Sequence, residues 1–584
     1  MTLPCNLNRF GGGKTKPYYC ELEYLESSGN QYIDTLLSYK DSKYFDIETV
    51  LSFNVVNVRQ EQGAYYGGYY GIQNTGYWMY GNQITTYAAS ANTWYKINLV
   101  GNQSNSNRVL TAIDLSTNIS TEIGTISISN SNYIAYLFAS NTSHDEGVSG
   151  SANLHLKAKI RYHKVKDLRT GELIQYFIPV LDWNMTPCMY EKISNKLFYN
   201  KGTGDFTYGR QIHYVDYLES TGTEYINTGF IPTIKTKTAE KTRMLSSGAK
   251  TPDFVRWTSA PEYDTFGTYL AGANIAVYYG NYRTGKSKSF AYTVGNDFEL
   301  VNDITEIKFN NTTQAADRGS TDWTNTTYPL CLFAGNNSGS ITFFADMRMY
   351  YYKIWDNGVL LRDYKPAVDE NGVGFMFDRA ERKIYDNAGT GAFKYPDISL
   401  EYLESTATQV IDTGVAIESD VSFDMDVQVL EAYSGYVPMG AYVNGVILLY
   451  QLYVNTQNQG LRMVSNGSNT TMTSIAASLD RHKIKINYSS MEYSIDGSDL
   501  SSIDGSFVDS TLTYTIFGRR VANGYDCYAK MRVYSLKMDK AGTTVRNYKP
   551  LLRNGTAGLL DTANDVFYTN LGTGTFSFKI KEKK

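Results

Sequence analysis

Tyr217-Leu218-Glu219-Ser220-Thr221-Gly222-Thr223-Glu224-Tyr225-Ile226-Asn227-Thr228 occurs in this chain in three versions. The first is Tyr24-Leu25-Glu26-Ser27-Ser28-Gly29-Asn30-Gln31-Tyr32-Ile33-Asp34-Thr35, and the third is Tyr402-Leu403-Glu404-Ser405-Thr406-Ala407-Thr408-Gln409-Val410-Ile411-Asp412-Thr413. Starts at 24, 217 and 402 give periods of 193 and 185 residues, the size of a whole domain and far longer than a solenoid repeat. A second signature closes each copy: Gly202-Thr203-Gly204-Asp205-Phe206, Gly389-Thr390-Gly391-Ala392-Phe393 and Gly572-Thr573-Gly574-Thr575-Phe576.

Weaker markers lie between, in constant order. Gly63-Ala64-Tyr65, Gly267-Thr268-Tyr269 and Gly440-Ala441-Tyr442 stand 39, 50 and 38 residues past each opening tyrosine. Leu137-Phe138-Ala139, Leu332-Phe333-Ala334 and Ile516-Phe517-Gly518 follow, then Tyr176-Phe177-Ile178-Pro179, Asp363-Tyr364-Lys365-Pro366 and Asn547-Tyr548-Lys549-Pro550. At about 150 residues per domain the length alone suggests roughly four domains. The repeat frame sets three, at 20–210, 211–396 and 397–584, with short linkers near 210 and 397 and an arm over 1–19.

The local chemistry is that of strands. Lys483-Ile484-Lys485-Ile486-Asn487-Tyr488 alternates over a strand length, Gly, Asn, Asp and Ser punctuate such runs at short intervals, and no window carries a capped helical stripe. Tyrosine, 51 of 584 residues, also favours pleated, half-buried surfaces. A lone sheet cannot bury its apolar face, so the fold class is all-β: three tandem antiparallel β-sandwich domains.

The opening Tyr-Leu-Glu-Ser-Thr-Gly-Thr, the Asp-Tyr-Lys-Pro approach and the Gly-Thr-Gly-x-Phe close resemble the laminin G-like, concanavalin A-like jelly-roll domains of phage virion proteins and gut-bacterial surface proteins, over residues 20 to 580. The resemblance implies two packed antiparallel sheets whose first and last strands lie close together. It also implies a non-enzymatic virion protein, a head or tail fibre or a capsid decoration, made in the host cytoplasm. Its partners would be other virion proteins, further copies of itself and host-surface glycans. A bacterial surface lectin or adhesin and a polysaccharide-degrading glycosidase are the alternatives. Some members of the family hold calcium on edge loops; here Asp145-Glu146 offers too few ligands, and calcium stays unassigned.

Composition excludes several classes. With Lys+Arg 54 against Asp+Glu 58 the net charge is −4, so a nucleic-acid binder relying on bulk positive charge is not expected. No apolar run approaches 18 residues, so no membrane insertion is expected. The first ten residues lack the basic-then-apolar pattern of a secretory signal. Cys5, Cys20, Cys188, Cys331 and Cys527 are odd in number and widely spread, which reads as reduced thiols.

Candidate chemistry is sparse. Glucanases on this fold set acids along one strand as Glu-x-Asp-x-x-Glu. The nearest approaches, Asp424-Met425-Asp426 with Glu431 and Glu262-Tyr263-Asp264, do not complete that pattern, so no catalytic residue is assigned. Glu26, Glu219 and Glu404 recur singly beside a turn and read as acceptors for its backbone N–H groups. The histidines, His144, His155, His163, His213 and His482, do not recur. Gly11-Gly12-Gly13-Lys14-Thr15 lacks the first glycine, the strand and the helix of a phosphate loop.

Recognition candidates are the aromatics of the divergent middles, where Tyr69, Trp78, Tyr80, Trp257, Tyr279 and Tyr453 are the candidate ligand-binding residues. The recurring Tyr24, Tyr217 and Tyr402 read as parts of the fold. In the arm, Leu3, Arg9 and Phe10 are the candidate anchoring residues.

Overall fold

The computed structural model describes residues 16–583 except 65–67, 81–82, 103–106, 128–132, 142–151, 259–263, 282–286, 317–322, 324, 432–438, 444–445, 455–458, 466–467, 473–478, 504–506 and 508. From 442 to 478 it describes backbone only. The described chain is built of strands, paired antiparallel except for one short parallel pair in each copy, with one 3-10 turn, Tyr39–Tyr44. Each copy folds as a sandwich of two sheets.

Alternation drives this. In Val421–Val429 the side chains of Val421, Phe423 and Met425 are buried while Ser422 and Asp424 face out, so one strand supplies a core face and a wet face. The opening strand of each copy pairs in the same register with a long strand near its end: Glu26 with Lys159, Glu219 with Arg348, Glu404 with Arg532. The facing sheets are held together in copy 1 by one apolar cluster drawing on both. Trp78 packs edge-on against Phe53 at 5.4 Å and Tyr95 at 5.3 Å.

The chain divides into two compact units, one comprising residues 1–369, 374–393 and 582–584, the other 370–373 and 394–581. In the first unit copies 1 and 2 share a sheet. Near residue 210, where a linker was expected, runs the strand Gln211–Tyr214. Its first half pairs with Cys20–Leu22 of copy 1 (Leu22 with Gln211, Glu21 with Ile212), and its second half with Val359–Val368 of copy 2 (His213 with Val368, Tyr214 with Ala367). Tyr18 and Tyr19, at the end of the expected arm, belong to the sandwich as well. Both are buried, with the Tyr18 ring 4.9 Å from Tyr190 and the Tyr19 N–H donating to Leu181.

The opening and closing signatures touch. The Asn200 carboxamide accepts the N–H groups of Tyr32 and Gly202 and donates to the Gly204 carbonyl. Asn387 and Asn570 do the same for Tyr225, Gly389 and Gly391 and for Val410, Gly572 and Gly574. A Cβ on Gly202, Gly389 or Gly572 would lie far inside contact with the backbone oxygen of Asn30, Thr223 or Thr408. The second glycines, Gly204, Gly391 and Gly574, have φ of +69°, +81° and +71°, the left-handed region. Gly389→Ala is therefore expected to cost about 1–3 kcal/mol as an overpacked contact; unchanged thermal unfolding of that variant would contradict the clasp.

One marker is reassigned. Gly63 and Gly440 occupy equivalent strands, pairing in parallel with Ser140 and Arg519, but the residue of copy 2 in that place is Phe254, pairing with Gly335. Gly267 sits one strand later, opposite Phe254. The longer spacing of 50 residues reflects that extra strand, since Phe254 lies 37 residues past Tyr217.

Candidate functional site

The aromatic residues singled out for recognition are mostly core. Tyr69, Trp78, Tyr80 and Tyr279 are each at most 3% exposed, and the Tyr279 hydroxyl is spent on the Ile234 and Thr236 carbonyls. In the strand Tyr77–Tyr80, Met79 is buried on one face as fully as Trp78 and Tyr80 are on the other, and Tyr77 alone is exposed, so alternation does not expose every second side chain. Trp257 is half-buried and packs on Trp323, centroids 5.1 Å apart, which in turn rests on Phe266 and Tyr279. Trp323 carried no sequence signal beyond its type. The side chain of Tyr453 lies outside the described residues, as do Leu3, Arg9, Phe10, the stretch 11–15, Asp145, Glu146 and Glu262.

The repeated glutamates do not hold the opening turn. Glu219 bonds the Arg348 guanidinium at 2.6 Å, Glu404 bonds Arg532 at 2.5 Å, and Glu26 accepts from Asn54 and Thr207. The turn is held by the residue seven past each opening tyrosine. Gln31 and Gln409 accept the Ser28 and Thr406 N–H groups and donate to the Asp205 and Thr575 carbonyls; Glu224 accepts from Thr221. A second set of recurring acids, missed in the sequence, ends the strand that follows the one carrying Pro179, Pro366 or Pro550 and fixes the turn after it. Glu191 accepts from the Tyr176 and Ser194 N–H groups, Asp378 from Asp363 and Ala380, Asp561 from Asn547 and Ala563.

Of the acids nearest the glucanase pattern, three pair with cations and Asp264 is buried. Asp426 forms a two-pronged pair with Arg481 at 2.6 and 2.7 Å, Glu431 pairs with Lys530, and Asp424 with Lys485 at 3.5 Å. Asp264 is buried, its N–H bonded to Thr258. His163 is fully buried with Thr49 at 2.8 Å, and burial pushes its pKa down to about 3. His482 bonds Asp496, and His213 bonds Glu582. Cys20, Cys188 and Cys331 are buried, where desolvation raises their thiols.

What recurs on the outward face is a band of aromatic rings and cations. Leu25, Leu218 and Leu403 face the core, so Tyr24, Tyr217 and Tyr402, one residue earlier, face out and are half-buried. Lys159, Arg348 and Arg532 lie over these rings at 5.2, 4.3 and 4.3 Å. Two residues further along the same strands the partners trade places. In copy 1 Arg161 covers Trp94 at 3.9 Å; in copy 3 Arg481, from the strand equivalent to that of Trp94, covers Tyr534 at 3.7 Å. In copy 2 Tyr350 donates to Asp297, which also holds Arg243. The stack thus recurs in copies 1 and 3 with its members swapped; such stacks contribute about 0.5–1 kcal/mol each at exposed sites, whereas Arg161 of copy 1 is buried.

No family model matches the chain, and no curated protein matches it. Among solved structures, the LG1–3 region of the laminin α2 chain aligns over 95% of this chain and 100% of that one, at 8% identity and a TM-score of 0.21. Domains LG4–5 of the mouse laminin α1 chain align over 60% of this chain and 93% of that one, at 10% identity and a TM-score of 0.19. The sandwich architecture stands on the strand pairing given above.

Two copy-specific departures remain. Leu36 is 66% exposed at φ +58°, where the other copies place Gly229 and Gly414 in the same turn, each N–H bonded to the preceding Asp or Asn side chain. Arg382 has φ +52°, where the other copies carry Asn195 and Asp565, seven residues before the closing glycine. Asn and Asp tolerate that conformation and Arg does not, so Arg382 is held there by what it touches. Its guanidinium bonds Glu21 at 2.6 Å and the Leu22 carbonyl at 2.9 Å, on the copy 1 strand that pairs with Gln211–Tyr214.

Proposed function

We propose that the chain is a non-enzymatic phage virion protein, a head or tail fibre or capsid decoration, whose sandwiches contact host-surface glycans through their outward faces. The observation that carries the adhesive part is the band of aromatic rings and cations repeated at one register in all three copies, half-buried at Tyr217, Arg348 and Tyr350 and again at Tyr402, Arg532 and Tyr534. Rings and guanidinium groups already fixed by their neighbours lose little entropy when a sugar or a protein settles on them. The non-enzymatic part is supported by the acids, since Glu219, Glu404, Asp426 and Glu431 each neutralise a structural cation. The virion setting is supported by the opening and closing signatures, which resemble those of virion jelly-roll domains.

Incubating the full chain with host capsular polysaccharides, with polymer retention and polymer length both measured, tests adhesion and the lack of catalysis together. Retention without shortening is expected. Shortened polymers would overturn the non-enzymatic reading, and no retention by any host glycan would overturn the adhesive one. Mass spectrometry of purified particles from the source tests the setting, where the chain is expected among the particle proteins and its absence would end the virion reading.

A further inference from the structure

Four positions are equivalent by register in the three copies, two paired on one sheet and two on the other. In copy 3 these pairs are Met425 with Leu536 and Met439 with Tyr450; Met425, Leu536 and Met439 are buried and apolar. In copy 1 they are Thr49 with His163 and Gln62 with Tyr70. There the Gln62 amide donates to the Tyr70 hydroxyl, which donates to Thr49, which meets His163 Nδ1, each at 2.8 Å; the Phe138 N–H satisfies the Gln62 oxygen. That layer is polar but closed.

Copy 2 differs in kind. Its pairs are Glu240 with Tyr352 and Asp253 with Thr268, so two carboxyls stand in the core, 2% and 1% exposed. The donors around them are uncharged: hydroxyls, and for Asp253 also the Thr268 N–H. Tyr352 donates to Asp253 Oδ2 at 2.6 Å, Thr242 to Glu240 Oε2 at 2.9 Å, and Thr268 to Glu240 Oε1 at 3.3 Å. Asp253 Oδ1 has no partner in full hydrogen-bond geometry, and no lysine, arginine or histidine among the described residues acts on either carboxyl. Two buried carboxylates without a cation cannot both ionise at an ordinary cost, because each loses its hydration and repels the other.

We propose that copy 2 is a pH-sensitive element, in which the Glu240–Asp253 pair keeps the two sheets docked while it holds its protons and loosens them as it ionises. Burial, and for Glu240 also the Asp253 charge, raises both groups above the ordinary carboxylate range. A folded-state value raised above the unfolded one contributes stability that is complete in acid, below the unfolded value, and is lost as pH climbs through the folded value. The equivalent layers of copies 1 and 3 lack this response: burial holds the His163 pKa down to about 3, and the copy 3 layer carries no titrating carboxyl at Met425, Leu536 or Met439. Tyr352, the remaining titratable group facing the pair, is raised by burial and by both acids and stays protonated through this range. Asp378, also of copy 2 and raised by burial to about 7, lies on Gly374–Asp378, a different strand of the sheet that carries Glu240, against Arg362, and is untouched by the variants below.

Hydrogen exchange of the full chain, corrected for intrinsic rates, tests this at pH 5.5 and 8.5. Protection of Lys250–Arg256 and Asp264–Ala271 is expected to fall at least tenfold more than that of the copy 3 strands Met439–Val443 and Ser510–Ile516. Glu240→Gln with Asp253→Asn is expected to remove that difference. If the double variant fails to fold, Glu240→Met with Asp253→Met, which copies the third layer, serves in its place. Equal loss in both copies, an undiminished difference in the folded variant, or restoration of protection by added calcium, which would make the pair a cation site, would each overturn the proposal.

Discussion

Replacing Arg382 with alanine is expected to lower the stability of the first unit by about 3–5 kcal/mol, the cost of leaving one partner of a buried ion pair without the other. The Arg382 side chain is 3% exposed, and its charge also lies over the Phe377 ring at 5.2 Å. Glu21 receives the Tyr18 and Tyr214 hydroxyls as well, but these carry no charge. Burial alone would raise the Glu21 carboxyl; the charge and hydrogen bond of Arg382, joined by the Lys192 and Lys16 charges, together outweigh that and hold it below the ordinary range. Its stabilisation is therefore present above the unfolded carboxylate value and is lost as pH falls through the folded one. Arg382→Asn separates the turn from the pair. Asparagine suits φ +52° and recovers about 1 kcal/mol of strain, yet the variant should remain strongly destabilised in urea titrations. A neutral Arg382→Asn would show that the pair contributes nothing.

The second large effect is expected at Phe517. This residue is fully buried at φ +72°, with its ring 4.9 Å from Phe576 of the closing signature. The same pairing joins Phe138 to Phe206 at 5.0 Å and Phe333 to Phe393 at 4.8 Å, with φ of +65° and +66°. A bulky side chain held left-handed three times over is kept for its packing, which offsets about 1–2 kcal/mol of backbone cost. Phe517→Ala should lose about 3–5 kcal/mol as a truncated core aromatic. Phe517→Gly should lose no more than alanine does, because glycine adopts that φ freely. A glycine variant much worse than alanine, measured by denaturant unfolding, would contradict this account of the position.

The signatures were legible because they are backbone chemistry. Gly202, Gly389 and Gly572 cannot be replaced without a clash, and Asn200, Asn387 and Asn570 tie the chain ends together, so three divergent copies keep them. The strands were legible from alternation for the same reason. Side-chain destinations were not. A run such as Tyr69-Tyr70 or Trp78-Met79-Tyr80 points to both faces of its strand, and sequence does not reveal that both are covered. The role of Glu219 is not legible in the sequence because its partner Arg348 is 129 residues away, whereas the turn beside it is local. Arg382 breaks a pattern of Asn and Asp visible only once Asn195, Arg382 and Asp565 are aligned on the closing glycines, and its partner Glu21 lies in another copy.

That copies 1 and 2 are one body rests most directly on the strand Gln211–Tyr214, and native-state hydrogen exchange of the intact chain reads it. The His213 and Tyr214 amides should exchange as slowly as those of Cys20–Leu22 and Val359–Val368 on either side, and all should accelerate together in Arg382→Ala. Fast exchange at 211–214, as in an ordinary linker, with the flanking strands still protected would contradict the shared sheet.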